Sequence, residues 1–129
     1  MAEFCTSRLP AQPDIVAPDG SDVRVLCRTT RGSMAHFELA AGRASDAIFH
    51  RSVDEIWYVL SGRGAMWRRL DGREQVVDLA PGVCVTIPQG THFQFRAAED
   101  APLAAVGVTM PPWPGPEEAV AVPGRWPPA

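Results

Sequence analysis

Short runs of β-branched and aromatic residues recur along nearly the whole chain, each closed by Gly, Pro or Asp. They are "VRVLCRTT" (23–30), "SMAHFELA" (33–40), "EIWYVLS" (55–61), "GAMWRRL" (64–70), "EQVVDL" (74–79), "VCVTI" (83–87), "THFQFRA" (91–97) and "PLAAVGVTM" (102–110). The i, i+3, i+4 spacing of an amphipathic helix is almost absent. Many short strands between turn signals predict an all-β fold, an antiparallel sandwich or barrel. "SGRG" and "LDGRE" place Gly where tight hairpins need positive φ. With 129 residues the chain is long enough for one such core.

Strand 55–61 adds a constraint. Glu55, Trp57 and Val59 share one face, and Ile56, Tyr58 and Leu60 share the other. Both faces are apolar apart from the acid, so both are expected to be covered. One lines the interior; the other needs a second layer, the tail or a second subunit, which predicts a homodimer. Residues 1–20 read as an extended arm, 21–110 as the barrel and 111–129 as a Pro-rich tail. In that tail Trp113, Val120, Val122 and Trp126 would each cost about 1.5–3 kcal/mol to leave in water. The tail is therefore predicted to pack as extended chain on the barrel or on a partner subunit.

Net charge is −3 and no basic cluster exists, so nucleic acid is not an expected partner, and no nucleotide cofactor is expected either. Cys5, Cys27 and Cys84 are odd in number and lack CxxC or CxxH spacing, which predicts neither a disulfide framework nor a zinc knuckle and suits a reducing cytoplasm. Cys84, inside "VCVTI", is expected in the core. The first residues show no basic start followed by an apolar stretch, and no apolar run approaches the roughly 18 residues of a spanning helix. No signal peptide and no membrane partner are expected.

Two spaced motifs carry a family resemblance. Gly42, a five-residue gap, Ile48-Phe49-His50, four residues, Glu55, six residues and Gly62 follow one pattern. Gly82, five residues, Pro88-Gln89-Gly90, two residues, Phe93, three residues and Ala97 follow another. In spacing these resemble the two motifs of the cupin family, whose pattern has His-x-His at 48–50, His at 93 and Asn at 97. Gly42, His50, Glu55, Gly62, Gly82, Pro88 and Gly90 match; Ile48, Phe93 and Ala97 do not. The resemblance implies a double-stranded β-helix, a jelly-roll β-barrel, here with extended N- and C-terminal arms.

The departures bear on chemistry. The resemblance implies a metal held by three histidines and a glutamate, but Ile48 and Phe93 replace two of those histidines. His50 and Glu55 remain, fewer donors than catalytic zinc or non-haem iron sites use. A divalent ion (Zn, Mn, Fe or Ni) would need help, and His92, one position before the motif, is the candidate third ligand. Strand alternation opposes it: if Phe93 and Phe95 face inward, His92 faces out unless a bulge turns it. His36 has two readings, a strand histidine satisfied by its surroundings or a polar group reaching the cavity. Met66 and Trp67 lie on opposite strand faces, so one of them lines the interior.

Two functions follow. In the first, Ile48, Trp57, Val59, Phe93 and Phe95, with His36, surround a small organic substrate, and His50 with Glu55 performs acid–base chemistry of the isomerase, epimerase, cyclase or lyase type, with or without a weak metal. A carboxylate beside the imidazole is expected to raise the pKa of His50. In the second, the barrel binds or senses a small molecule without catalysis.

Overall fold

Alternation of inward and outward side chains turns the predicted runs into an antiparallel jelly-roll β-barrel. The computed structural model describes residues 3–17 and 19–127; residues 1–2 and 128–129, at the ends of the two arms, and Pro18 lie outside the described residues. The strands are β1 (Ile15–Val16), β2 (Asp22–Arg28), β3 (Ser33–Leu39), β4 (Ile48–His50), β5 (Asp54–Ser61), β6 (Gly64–Leu70), β7 (Arg73–Leu79), β8 (Cys84–Ile87), β9 (His92–Ala97), β10 (Leu103–Met110) and β11 (Ala119–Ala121). One sheet runs β1-β2-β3-β10-β5-β8, the other β11-β4-β9-β6-β7. The first lacks any helix long and apolar enough to cross a membrane, and so does the rest of the described chain.

The turns do what their residues allow. Leu70 pairs with Arg73, so Asp71 and Gly72 form a two-residue hairpin loop, with φ of 52° and 76°. Positive φ at both positions matches the right-handed twist of the strands. Gly62 has φ 81°, and a Cβ there would run into the backbone carbonyl of Pro102. Gly62→Ala is therefore expected to cost about 1–3 kcal/mol. A urea midpoint equal to that of the wild type would contradict this.

Between the sheets lies one apolar core, in which Trp57, Val59, Met66, Leu79, Ile87, Phe95 and Leu103 are essentially inaccessible. The outer faces differ. Over β9 and β6 the tail forms a cover: β11 pairs with β4, and the side-chain amide of Gln94 hooks the chain beyond it. Gln94 Oε1 accepts from the Arg125 and Trp126 amides, both at 2.9 Å, and its Nε2 donates to the Ser45 and Trp126 carbonyls. This explains a fully buried glutamine on an outward-facing position. Trp67, also outward, is buried there while its neighbour Met66 enters the core. On the other sheet Met34, Ile56, Tyr58 and Leu60 stay exposed, so the second apolar face of β5 is uncovered in the single chain.

Three expectations need correction. Cys5 and Cys27 are joined by a disulfide, because the N-terminal arm is laid along β2. Arg24 donates to the carbonyls of Pro10 and Ala11, and the Val25 amide donates to Asp14 Oδ2. Cysteines distant in sequence are thereby brought together, which spacing rules for local motifs do not detect. Cys84 is exposed rather than core, since β8 points Val85 and Ile87 inward instead. His36 is buried, yet it lies on the outer face, paired across strands with Arg24 and Val106, while Phe37 and Leu39 turn inward.

Candidate functional site

β4 ends at His50 and β5 begins at Asp54, so a short connection sets His50 and Glu55 on the same side of the barrel. Alternation sends His50 inward with Ile48, and Glu55 inward with Trp57 and Val59. Their side chains are 4% and 3% exposed, and His50 Nδ1 lies 3.5 Å from Glu55 Oε1. The second carboxyl oxygen, Oε2, accepts a 2.9 Å hydrogen bond from Trp57 Nε1. Phe93 packs edge-on against His50 at 5.2 Å, and Trp57 stacks on Phe37 and meets the edge of Phe95. Gly107 makes room for the acid: a Cβ there would lie 2.7 Å from Glu55 Oε2 and 2.8 Å from Phe37.

Such surroundings disfavour charge on both partners. Burial pushes Glu55 up to about 8, against the Trp57 hydrogen bond that lowers it, and the buried Asp19 carboxyl adds to the rise. Burial likewise lowers His50 to about 4, with only partial opposition from the charge of Glu118. The expected upward shift of His50 is thus reversed, because the cost of burying its charge outweighs the help that a nearby acid gives. The pair is a neutral acid beside a neutral imidazole. His50 Nδ1 is buried without a hydrogen-bond partner.

The tail contributes two groups that sequence reasoning did not assign to this site. Trp113 meets His50 edge-on at 5.1 Å. Glu118, itself buried, pins the connection between β4 and β5: its carboxylate accepts from Ser52 N, Ser52 Oγ and Val53 N at 2.7–2.8 Å. Burial raises its pKa, but these hydrogen bonds and His50 outweigh that and hold it below the usual value. The available signal was the acidic pair Glu117-Glu118 ahead of the alternating "AVAV" at 119–122. Glu118→Ala would leave the buried Val53 amide and the part-buried Ser52 amide unpaired, and a loss of about 2 kcal/mol is expected in urea unfolding. A loss below about 0.5 kcal/mol would show that the connection does not depend on it.

The family model described as "Cupin domain" matches residues 35–109, more than half of the chain. The chain belongs to the cupin family. No curated relative matches this cupin by sequence. Among solved structures it is similar to BH2720 of Bacillus halodurans, with 20% identity and a TM-score of 0.65, over 79% of this chain and 76% of that one. The oxalate decarboxylase of Bacillus subtilis, described with Mn(II) centres, gives 16% identity and a TM-score of 0.71, over 86% of this chain and 30% of that one. The 11S allergen of Cocos nucifera L. gives 21% and 0.68, over 79% and 31%. This cupin therefore spans about a third of the decarboxylase and allergen chains. Identities this low establish the fold alone.

The donors of this cupin fall short of the three histidines and a glutamate that the motif resemblance implies. Two inward groups, His50 and Glu55, stand where Ile48 and Phe93 fill the remaining ligand positions with apolar bulk. His92 does not complete them: it stacks on the outward Phe49 at 5.4 Å, as alternation required once Phe93 entered the core. Among the described residues no three His, Cys, Asp or Glu side chains are grouped to hold an ion.

Of the other expected lining residues, Ile48, Trp57, Val59, Phe93 and Phe95 do converge, all nearly inaccessible. They pack against one another as core rather than around an open cavity, as large aromatic side chains at organic-crystal density must. His36 is not among them. Two surface clefts, of about 580 and 1000 Å³, are lined by other residues.

Proposed function

We propose that this cupin binds a small organic molecule against the His50–Glu55 pair and carries out acid–base chemistry on it, of the isomerase, epimerase, cyclase or lyase type. The observation that supports this most directly is the buried, unpartnered Nδ1 of His50, 3.5 Å from a carboxyl oxygen. A buried polar atom with no partner costs about 1–3 kcal/mol, and a ligand that supplies the partner recovers that cost.

The pair has complementary functions. Trp57 occupies Oε2, so the acid proton of Glu55 sits on Oε1, the oxygen that faces His50. The neutral acid can donate to a carbonyl or hydroxyl oxygen, while Nδ1 accepts a proton from the same substrate. After transfer the two are glutamate and imidazolium, an ion pair, and the ionised Glu118 favours the positive charge on His50. A carboxylic acid kept protonated near neutral pH by an apolar site is an established device for such chemistry.

A non-catalytic reading is favoured by one observation, the close packing of the interior around the pair. Solvent-deuterium incorporation separates the two. A panel of small carbonyl compounds is screened by thermal shift, and each binder is incubated in D2O with the wild type, His50→Ala and Glu55→Gln. The proposal expects deuterium in the recovered ligand with the wild type only, and affinity at least about tenfold weaker in both variants. Binding without exchange in any protein supports a sensor or carrier; unchanged affinity in both variants removes the pair from the site.

We also propose that the uncovered face of β5 is where a second copy docks, since a flat antiparallel face can meet its own two-fold image. Ile56→Glu places a charge two residues from exposed Tyr58, on the face where Met34 is also exposed one strand further across, beyond Val108. Sedimentation is expected to show a dimer for the wild type and a monomer for the variant; a monomeric wild type would refute it.

A further inference from the structure

The pair is closed to solvent, yet one of the groups that close it does not belong to a barrel strand. Trp113 lies beyond the end of β10, in a Pro-rich stretch that joins no sheet until β11. The imidazole of His50 thus has two aromatic edges on it, Phe93 from β9 and Trp113 from this strap. Their support differs. β9 is paired on both sides, with β4 and β6. Trp113 is held by one backbone hydrogen bond, from its amide to Ser33 Oγ at 2.9 Å, a hydroxyl that also bonds Thr109. The next holds on the strap are the Glu117 carbonyl, which accepts from Arg51 Nε at 3.0 Å, and Glu118. Trp113 is only half-buried, whereas Phe93 is 2% exposed. The larger cleft, about 1000 Å³, is lined by Arg51, Ser52 and residues 114–121, so open space adjoins the strap.

We infer that Trp113 is a movable wall that stands where a flat, uncharged aromatic ring of the ligand docks against His50, and so determines the size and shape of what the site accepts. This rests on the proposed role of the His50–Glu55 pair. What stands against His50 at present is an indole, and a replacement would meet the His50 ring, whose other aromatic neighbour is Phe93. The charge that reaches His50 is that of Glu118, already satisfied by Ser52 and Val53, so an uncharged ring fits this position better than a charged one. A ring offers the same edge contacts, worth about as much as those it displaces. The strap loses one backbone hydrogen bond, a small cost for a segment held at so few points.

Indole itself is the probe, titrated by calorimetry into the full-length wild type, Trp113→Ala, Ser33→Ala and the Trp113→Ala/His50→Ala double variant. Trp113→Ala is expected to bind one indole at least about tenfold tighter than the wild type. Ser33→Ala keeps Trp113 but releases its amide, and is expected to bind about threefold or more tighter, because the closed population falls. Should Trp113→Ala not fold, Trp113→Leu, which keeps apolar bulk, takes its place. The inference is overturned if neither single variant binds tighter than the wild type. It is also overturned if only the Trp113 variant does, since a mere hole would explain that. If both bind tighter and His50→Ala leaves the affinity of the Trp113 variant unchanged, the movable wall stands and His50 loses its place in the proposed function.

Discussion

Trp57→Ala is expected to lower the free energy of unfolding by about 3–5 kcal/mol, the largest effect of any single substitution considered for the core. The side chain is 2% exposed, stacks on Phe37 at 5.1 Å and meets Phe95 at 4.8 Å, so its loss leaves a cavity ringed by aromatic side chains that cannot collapse without leaving their strands. It also removes the donor to Glu55 Oε2. Trp57→Phe separates the two contributions. It keeps most of the packing and deletes the N–H, and about 1–2 kcal/mol is expected for the lost hydrogen bond. Urea unfolding followed by circular dichroism measures both. An alanine variant within about 1 kcal/mol of the wild type would mean that the interior is far less tightly packed than described.

Stability of the wild type is expected to fall by about 2 kcal/mol between pH 6.5 and 8.5, and Glu55→Gln is expected to abolish that fall. The sign follows from which state holds more protons. Glu55 is raised from 4.5 to about 8 by burial, so between those values the unfolded chain has lost a proton that the folded chain keeps, and stability declines as pH rises. His50 is lowered from 6.5 to about 4 by burial, so between those values the unfolded chain holds the extra proton and stability climbs with pH. The two slopes cancel from about 4.5 to 6.5, leaving a plateau; below it His50 dominates, and above it Glu55 acts alone. His36, also lowered by burial, tilts that plateau so that stability rises with pH just below 6.5. Glutamine retains an acceptor for Trp57 and carries no proton to lose, so the variant gains on the wild type as pH rises towards about 8. Thermal unfolding across pH 4–9 reads this out. Parallel curves for the two proteins from pH 6 to 9 would show that Glu55 is ionised in the fold.

Much of this arrangement is legible in the order of residues, for a reason of covalent geometry. A strand has a period of two, so once "EIWYVLS" is a strand, Glu55, Trp57 and Val59 must share a face, and Ile56, Tyr58 and Leu60 the other. The same rule turns His92 outward when Phe93 goes in. Gly62 and the Asp71-Gly72 pair mark turns because few other residues take positive φ. That His50 and Glu55 stand together is implied by the resemblance of the Gly42–Gly62 stretch to a cupin motif, not by spacing alone.

What the chain order does not reveal is whatever depends on solvent and on distant neighbours. Whether Glu55 carries a charge depends on how completely Trp57, Phe37 and Gly107 exclude water from it, and those residues lie on three different strands. Trp113, Glu118 and Gln94 acquire their roles only when the tail folds back over the barrel, and Cys5 meets Cys27 only when the arm lies along β2. The backbone's own period assigns each side chain a direction locally. Burial and hydrogen-bond partners are properties of the assembled barrel, and they decide what those directed groups can do.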